Sequence, residues 1–129
     1  MPGETAGEPV ESISAVTFAT ADMAASCAFY EALGFVRIFG GPAAPFTTFR
    51  AGVGFVNIQL DPQHAPVPAI WGRAIFWVDD VDAMHARARA AGYRPLTEPA
   101  DAPWGERYFH IHDPDGHELS FARRLEPAN

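Results

Sequence analysis

One half of this chain repeats the other. An offset of 58 residues carries Phe18, Asp22, Ala25, Ala28, Ala32, Gly34 and Phe35 onto Phe76, Asp80, Ala83, Ala86, Ala90, Gly92 and Tyr93. Each set reads as an apolar strand, an acidic helix start, an alanine-rich helix, and a glycine followed by an aromatic ring. So many matches in one register mark a duplicated structural unit. The duplication constrains the fold because a site built between two copies draws on corresponding positions of both.

The bulk composition narrows the function classes. The 129 residues fit one domain, or two small modules sharing a core, and an apolar content of 48% suits a folded chain. The net charge of −7 speaks against a nucleic-acid partner, because binding to a phosphate backbone rests on Lys and Arg. No apolar run reaches the roughly 18 residues of a membrane span, and no secretory core follows Met1. The single cysteine, Cys27, has no internal disulfide partner and suits the buried face of a helix. Together these point to a cytoplasmic protein with no membrane partner.

Residues 1–11 read as a disordered lead. The first module spans 12–60, with strands predicted at Ile13–Ala19, Phe35–Phe39, Phe46–Arg50 and Phe55–Leu60. Its helix runs from Met23 to Leu33, capped by Asp22 and stopped by Gly34. Three prolines make 61–70 a stiff linker. The second module spans 71–124, with strands at Arg73–Val78, Tyr93–Leu96, Glu106–His112 and His117–Ala122. Its helix begins at Asp80, and Pro99–Gly105 reads as a loop. Asp113-Pro114-Asp115-Gly116 has the residue preferences of a type I turn, and residues 125–129 form a tail. The fold class is α+β: two tandem βαβββ modules.

Two such modules, with Phe29-Tyr30 and Leu33-Gly34-Phe35 closing the first helix, resemble the vicinal oxygen chelate superfamily. That superfamily includes glyoxalase I, extradiol dioxygenases and bleomycin-resistance proteins. The segments Val78-Asp79-Asp80-Val81-Asp82 and Asp113-Pro114-Asp115-Gly116-His117 carry the resemblance further, and it covers about Ile13–Phe121. It implies half-barrel sheets around a cavity, with the helices outside. In the resistance-protein branch it also implies a homodimer whose cavities form between modules of different chains. It does not by itself imply a reaction.

Enzymes of the superfamily hold a divalent metal at four strand positions. The resemblance carries these onto Ala15, Gln59, Arg73 and Ser120. Alanine has no donor atom, arginine is a fixed cation, and serine and glutamine are weak ligands. The expectation is therefore no metal and no cofactor. An unconventional set of His110, His112 and Glu118 is the alternative, since His110 and His112 share one face of a strand by alternation.

The expected ligand-contacting residues are Thr17, Phe49, Gln59, Arg73, Trp77, Trp104, Tyr108, His110, Glu118 and Ser120. Tyr108 and His110 occupy places that face the cavity in the superfamily. Trp77 and Trp104 offer flat stacking area, and Phe49 is a further ring in the first module. Arg73 has two fates open to it, orienting a ligand or pairing with Glu118. His64 and His85 read as solvated. The leading function is a metal-free binding protein for a planar or aromatic compound. The alternative is an enzyme of glyoxalase, dioxygenase or lyase type, and a third reading is a non-catalytic dimerising domain.

Overall fold

The computed structural model describes residues 9–10, 12–69 and 71–126. Along the chain lie β1 (Ala15–Thr20), α1 (Met23–Ala32), β2 (Val36–Phe39), β3 (Phe46–Ala51) and β4 (Gly54–Leu60). The second module supplies β5 (Arg73–Trp77), α2 (Val81–Ala90), β6 (Ala100–Asp101), β7 (Glu106–His112) and β8 (Glu118–Arg124). Most of the expected disordered lead, and the end of the tail, lie outside the described residues. No helix among the described residues is long and apolar enough to cross a membrane.

The repeat is reproduced down to single hydrogen bonds. Asp22 accepts from Ala25 N at 3.1 Å, and Asp80 accepts from Ala83 N at 3.0 Å. Both helices end on a glycine at positive φ, Gly34 at 96° and Gly92 at 94°. Phe35 N donates to Tyr30 O and Tyr93 N to Ala88 O, each at 3.0 Å, the six-to-one bond of a Schellman stop. Glycine is needed there because a side chain at that φ meets its own backbone.

Each module forms a four-stranded sheet, ordered β1-β4-β3-β2 and β5-β8-β7-β6. Only the pairs β1–β4 and β5–β8 are parallel. The expected strand at Tyr93–Leu96 does not form. Pro95 lacks an amide hydrogen for a ladder, and the edge position is taken by Ala100–Asp101, within the stretch read as a loop.

One face of each sheet packs into a single continuous core. Phe18, Phe29, Tyr30, Phe49, Phe109 and Phe121 are all essentially inaccessible to solvent. Burying each such ring contributes roughly 2–3 kcal/mol. Phe35 ties the modules together, with its ring 5.1 Å from Phe76 and 6.3 Å from Phe121.

A buried polar seam runs alongside. Tyr30 Oη donates to Asp113 at 2.8 Å, and Ser26 Oγ donates to Asp115 at 3.2 Å. Burial pushes the Tyr30 hydroxyl well above its ordinary value, and it also raises the Asp113 carboxyl. Gly116 lies against the linker: a side chain there would meet Val67 N at 2.9 Å. The histidines read as solvated are not: His85 is buried edge-on against Phe109, and His64 stacks on His117 at 5.4 Å.

Candidate functional site

The face of each sheet turned away from the core is open in the single chain. Strand alternation selects its residues, and strand register arranges them in rows. On the second sheet Arg73, Glu118 and His112 form one row. Ile75, Ser120 and His110 form the next, followed by Trp77, Ala122 and Tyr108. On the first sheet the rows are Ala15–Phe55–Arg50, Thr17–Asn57–Thr48 and Ala19–Gln59–Phe46. A groove of about 500 Å³ between the modules takes in Ile75 and Trp77 at the edge of this surface.

Arg73 is paired. Its Nε lies 2.7 Å from Oε2 of Glu118, and Nη2 bonds the same oxygen. His112 Nε2 sits 3.7 Å from the other carboxylate oxygen. Nδ1 of His110 bonds the Ser120 hydroxyl, which is 3% exposed. Burial, and then the nearby Arg73 charge, hold the His110 imidazole below its ordinary value of 6.5, with Glu118 opposing. His110 is therefore neutral at pH 7.

Rings form the rest of the second face. Trp104 stacks on Tyr108 at 5.9 Å and 25°, and Tyr108 is 5.0 Å from His110. Trp104 Nε1 donates to Glu106 at 3.3 Å. Trp77 carries the Arg124 guanidinium 5.2 Å above its ring. Trp77 and Trp104 are 60% and 68% exposed, a large apolar area to leave in water. The first face is quieter: Thr48 Oγ1 donates to Asn57 Oδ1 at 2.8 Å, and Asn57 Nδ2 donates to Thr17 at 3.3 Å.

Arg73, Trp77, Tyr108, His110, Glu118 and Ser120 thus share the second open face, with Trp104 stacked beside them, and Thr17 and Gln59 share the first. Phe49 does not belong with them: it points into the core and is fully buried, one position out of phase with Thr48. The counterpart of Ser120 also needs correction. Thr17 pairs with Asn57 and Ile75 with Ser120, so Asn57, not Gln59, is the equivalent place. Five more residues separate α2 from Ser120 than separate α1 from Asn57, which displaces the strand ends from the 58-residue offset. Asn57, Thr48, Glu106 and Arg124 were not anticipated. Parity alone would have put Asn57 and Thr48 on the face, but only register joins them.

The donor set does not suit a divalent metal. The positions onto which the resemblance carries the metal ligands, with Asn57 in place of Gln59 by strand register, are Ala15, Asn57, Arg73 and Ser120, and Arg73 is a fixed cation. In the alternative set, Glu118 is held by Arg73 and His110 by Ser120. Among the described residues no three His, Cys, Asp or Glu side chains converge.

Comparison with known proteins agrees with this architecture. A family model described as Glyoxalase/Bleomycin resistance protein/Dioxygenase superfamily matches residues 12–121. A Mycobacterium bovis protein, provisionally named glyoxylase CFP32, is 37% identical over 83 residues, covering 64% of this chain and 30% of that protein. The chain thus spans about a third of the length of the curated relatives it matches. A glyoxalase/dioxygenase structure from Nostoc punctiforme superposes with a TM-score of 0.78 at 16% identity, covering 94% of this chain and 96% of that one. A bleomycin-binding protein complexed with bleomycin superposes at 0.69 and 20% identity, covering 89% and 99%. At such identities the likeness is one of fold.

Proposed function

This chain belongs to the glyoxalase/bleomycin resistance protein/dioxygenase superfamily, and from that membership we propose that it is a metal-free binding protein for a planar aromatic small molecule. The observation that carries the reading is the Arg73–Glu118 ion pair beside the Ser120–His110 bond. A cation and a hydrogen-bonded serine occupy two of the positions onto which the resemblance carries the metal ligands. Around them Trp77, Trp104 and Tyr108 offer exposed ring area, and planar ligands stack on such rings at low entropic cost. The structural neighbour that holds bleomycin supports a binding role for this fold.

A second copy completes the cavity under this reading. Each open face is one wall, and Ile75, Trp77 and Trp104 are too apolar and too exposed to remain bare in water. The working form is a homodimer in the cytoplasm. Light scattering on the purified protein is expected to return twice the 14.0 kDa chain mass.

The enzyme reading keeps one specific support, the neutral His110 imidazole, which is suited to general-base chemistry near pH 7. It would then act without a metal. Tryptophan fluorescence titrated with planar aromatic compounds separates the readings. Saturable quenching, weakened by Trp104→Ala and with no turnover of the bound compound, is the expected result. Turnover that is lost in His110→Ala would favour the enzyme.

A further inference from the structure

We infer that the ligand of this site is a planar ring system rich in hydrogen-bond acceptors, with carbonyl or quinone oxygens meeting donors on both open sheets, and not a planar cation. This rests on reading the open faces as a ligand site, and it adds the chemical class.

The argument starts from the direction of the hydrogen bonds. The Ser120 hydroxyl is buried, and its only protein partner among the described residues is Nδ1 of His110. If Nδ1 carried the hydrogen, the serine hydrogen would be left inside the protein without an acceptor. An orphaned donor costs more than an unused lone pair. The hydroxyl therefore donates to Nδ1. That bond holds His110 in the tautomer with its hydrogen on Nε2. Nε2 has no protein partner among the described residues, so a neutral N–H is left to meet a ligand.

The first sheet is polarised in the same sense. Thr48 fills Oδ1 of Asn57, and Nδ2 of Asn57 donates to Thr17. Asn57 has spent its acceptor on Thr48 and keeps a second amide hydrogen. Thr17 receives a bond and keeps its own hydroxyl hydrogen. Both open faces thus present donors from corresponding rows, Asn57 being the counterpart of Ser120.

The carboxylates that would attract a cation are already engaged. Glu118 is held by two nitrogens of Arg73 and flanked by His112, and Glu106 accepts from Trp104. The chain's net charge of −7 is therefore not expressed as a free carboxylate at the centre of this face. A ring bearing carbonyl oxygens satisfies the donors and stacks on Trp104 and Tyr108, whereas a planar cation would leave the donors unmatched.

The test uses the full chain and two planar probes of similar size: 9,10-anthraquinone, a neutral ring system with two carbonyl acceptors and no ionisable group, and proflavine, an acridine cation. Calorimetric titration is expected to show anthraquinone binding about tenfold tighter than proflavine, the worth of roughly one or two matched donors. Ser120→Ala and Thr17→Val are each expected to weaken anthraquinone about fivefold while leaving proflavine unchanged. Independently of any ligand, imidazole ¹⁵N NMR of the wild-type protein is expected to show His110 protonated on Nε2. Proflavine binding more tightly than anthraquinone would overturn the acceptor assignment alone, and so would an Nδ1–H tautomer. Binding of neither probe would overturn the underlying ligand reading.

Discussion

The two open sheet faces are built on the same scaffold and differ in charge and in aromatic content. Behind them the modules agree closely: the same aspartate caps, the same glycine stops, the same parallel pair at one edge. In front, the first face holds an uncharged row of Thr17, Asn57 and Thr48. The second holds an ion pair, a histidine–serine bond and stacked rings. Duplication has kept what holds a module together and released what touches solvent. The division follows from energetics, because a cap or core ring is constrained by its own module, whereas an open face is constrained only by what it binds.

If the core is shared as fully as described, it must fail as one body. Phe49→Ala and Phe109→Ala, one in each module, are each expected to cost about 3–5 kcal/mol. Both should do so in a single cooperative urea transition. Two separated transitions would mean that the modules are independent.

The faces should respond unequally to loss of a charged partner. Glu118→Ala leaves Arg73 a bare cation on the second face. Stability should fall by only about 1 kcal/mol, because the arginine is partly solvated. Affinity for an anionic planar compound should rise several-fold, as seen by tryptophan quenching. On the first face Asn57→Ala should leave that preference unchanged.

At the caps the modules should be indistinguishable. Asp22→Ala and Asp80→Ala are each expected to cost about 1 kcal/mol, measured by thermal denaturation. A difference between them larger than the cost itself would break the correspondence.

The smallest expected effect is on pH dependence, and it belongs to the second face alone. Folding holds His110 below 6.5, so the unfolded chain binds the proton more readily. The stability tied to the neutral imidazole is complete above about pH 6.5 and is lost as pH falls toward the lowered folded value. His110→Asn should flatten that part of the stability profile. An unchanged profile would mean that His110 is not held neutral.

Much of the scaffold was legible in the sequence because its signals are local. Asp22, Gly34, Asp80 and Gly92 act within one helical turn, and the 58-residue offset links them without any tertiary knowledge. Alternation along a single strand set His110 and His112 on one face, and the resemblance set Tyr108 and His110 toward the cavity. What alternation cannot supply is the partner across the ladder. Gln59 was matched with Ser120 in place of Asn57 because the loops before the last strands differ in length. Phe49 was placed with the ligand residues because a ring suits a core and a stacking site equally well. Arg73 had two open fates, and the register of β5 against β8 sets it opposite Glu118. His85 was read as solvated because charged residues flank it along its helix face, yet its ring lies edge-on against Phe109. In each case the missing information was a neighbour distant in sequence.

The most direct test of the metal-free reading is calorimetric titration of Zn²⁺, Ni²⁺ and Mn²⁺ into chelator-treated protein, alone and with 9,10-anthraquinone bound. The account predicts no one-to-one metal site in either state, and anthraquinone affinity unaffected by chelator. A stoichiometric site abolished by both His110→Ala and Glu118→Gln would contradict it.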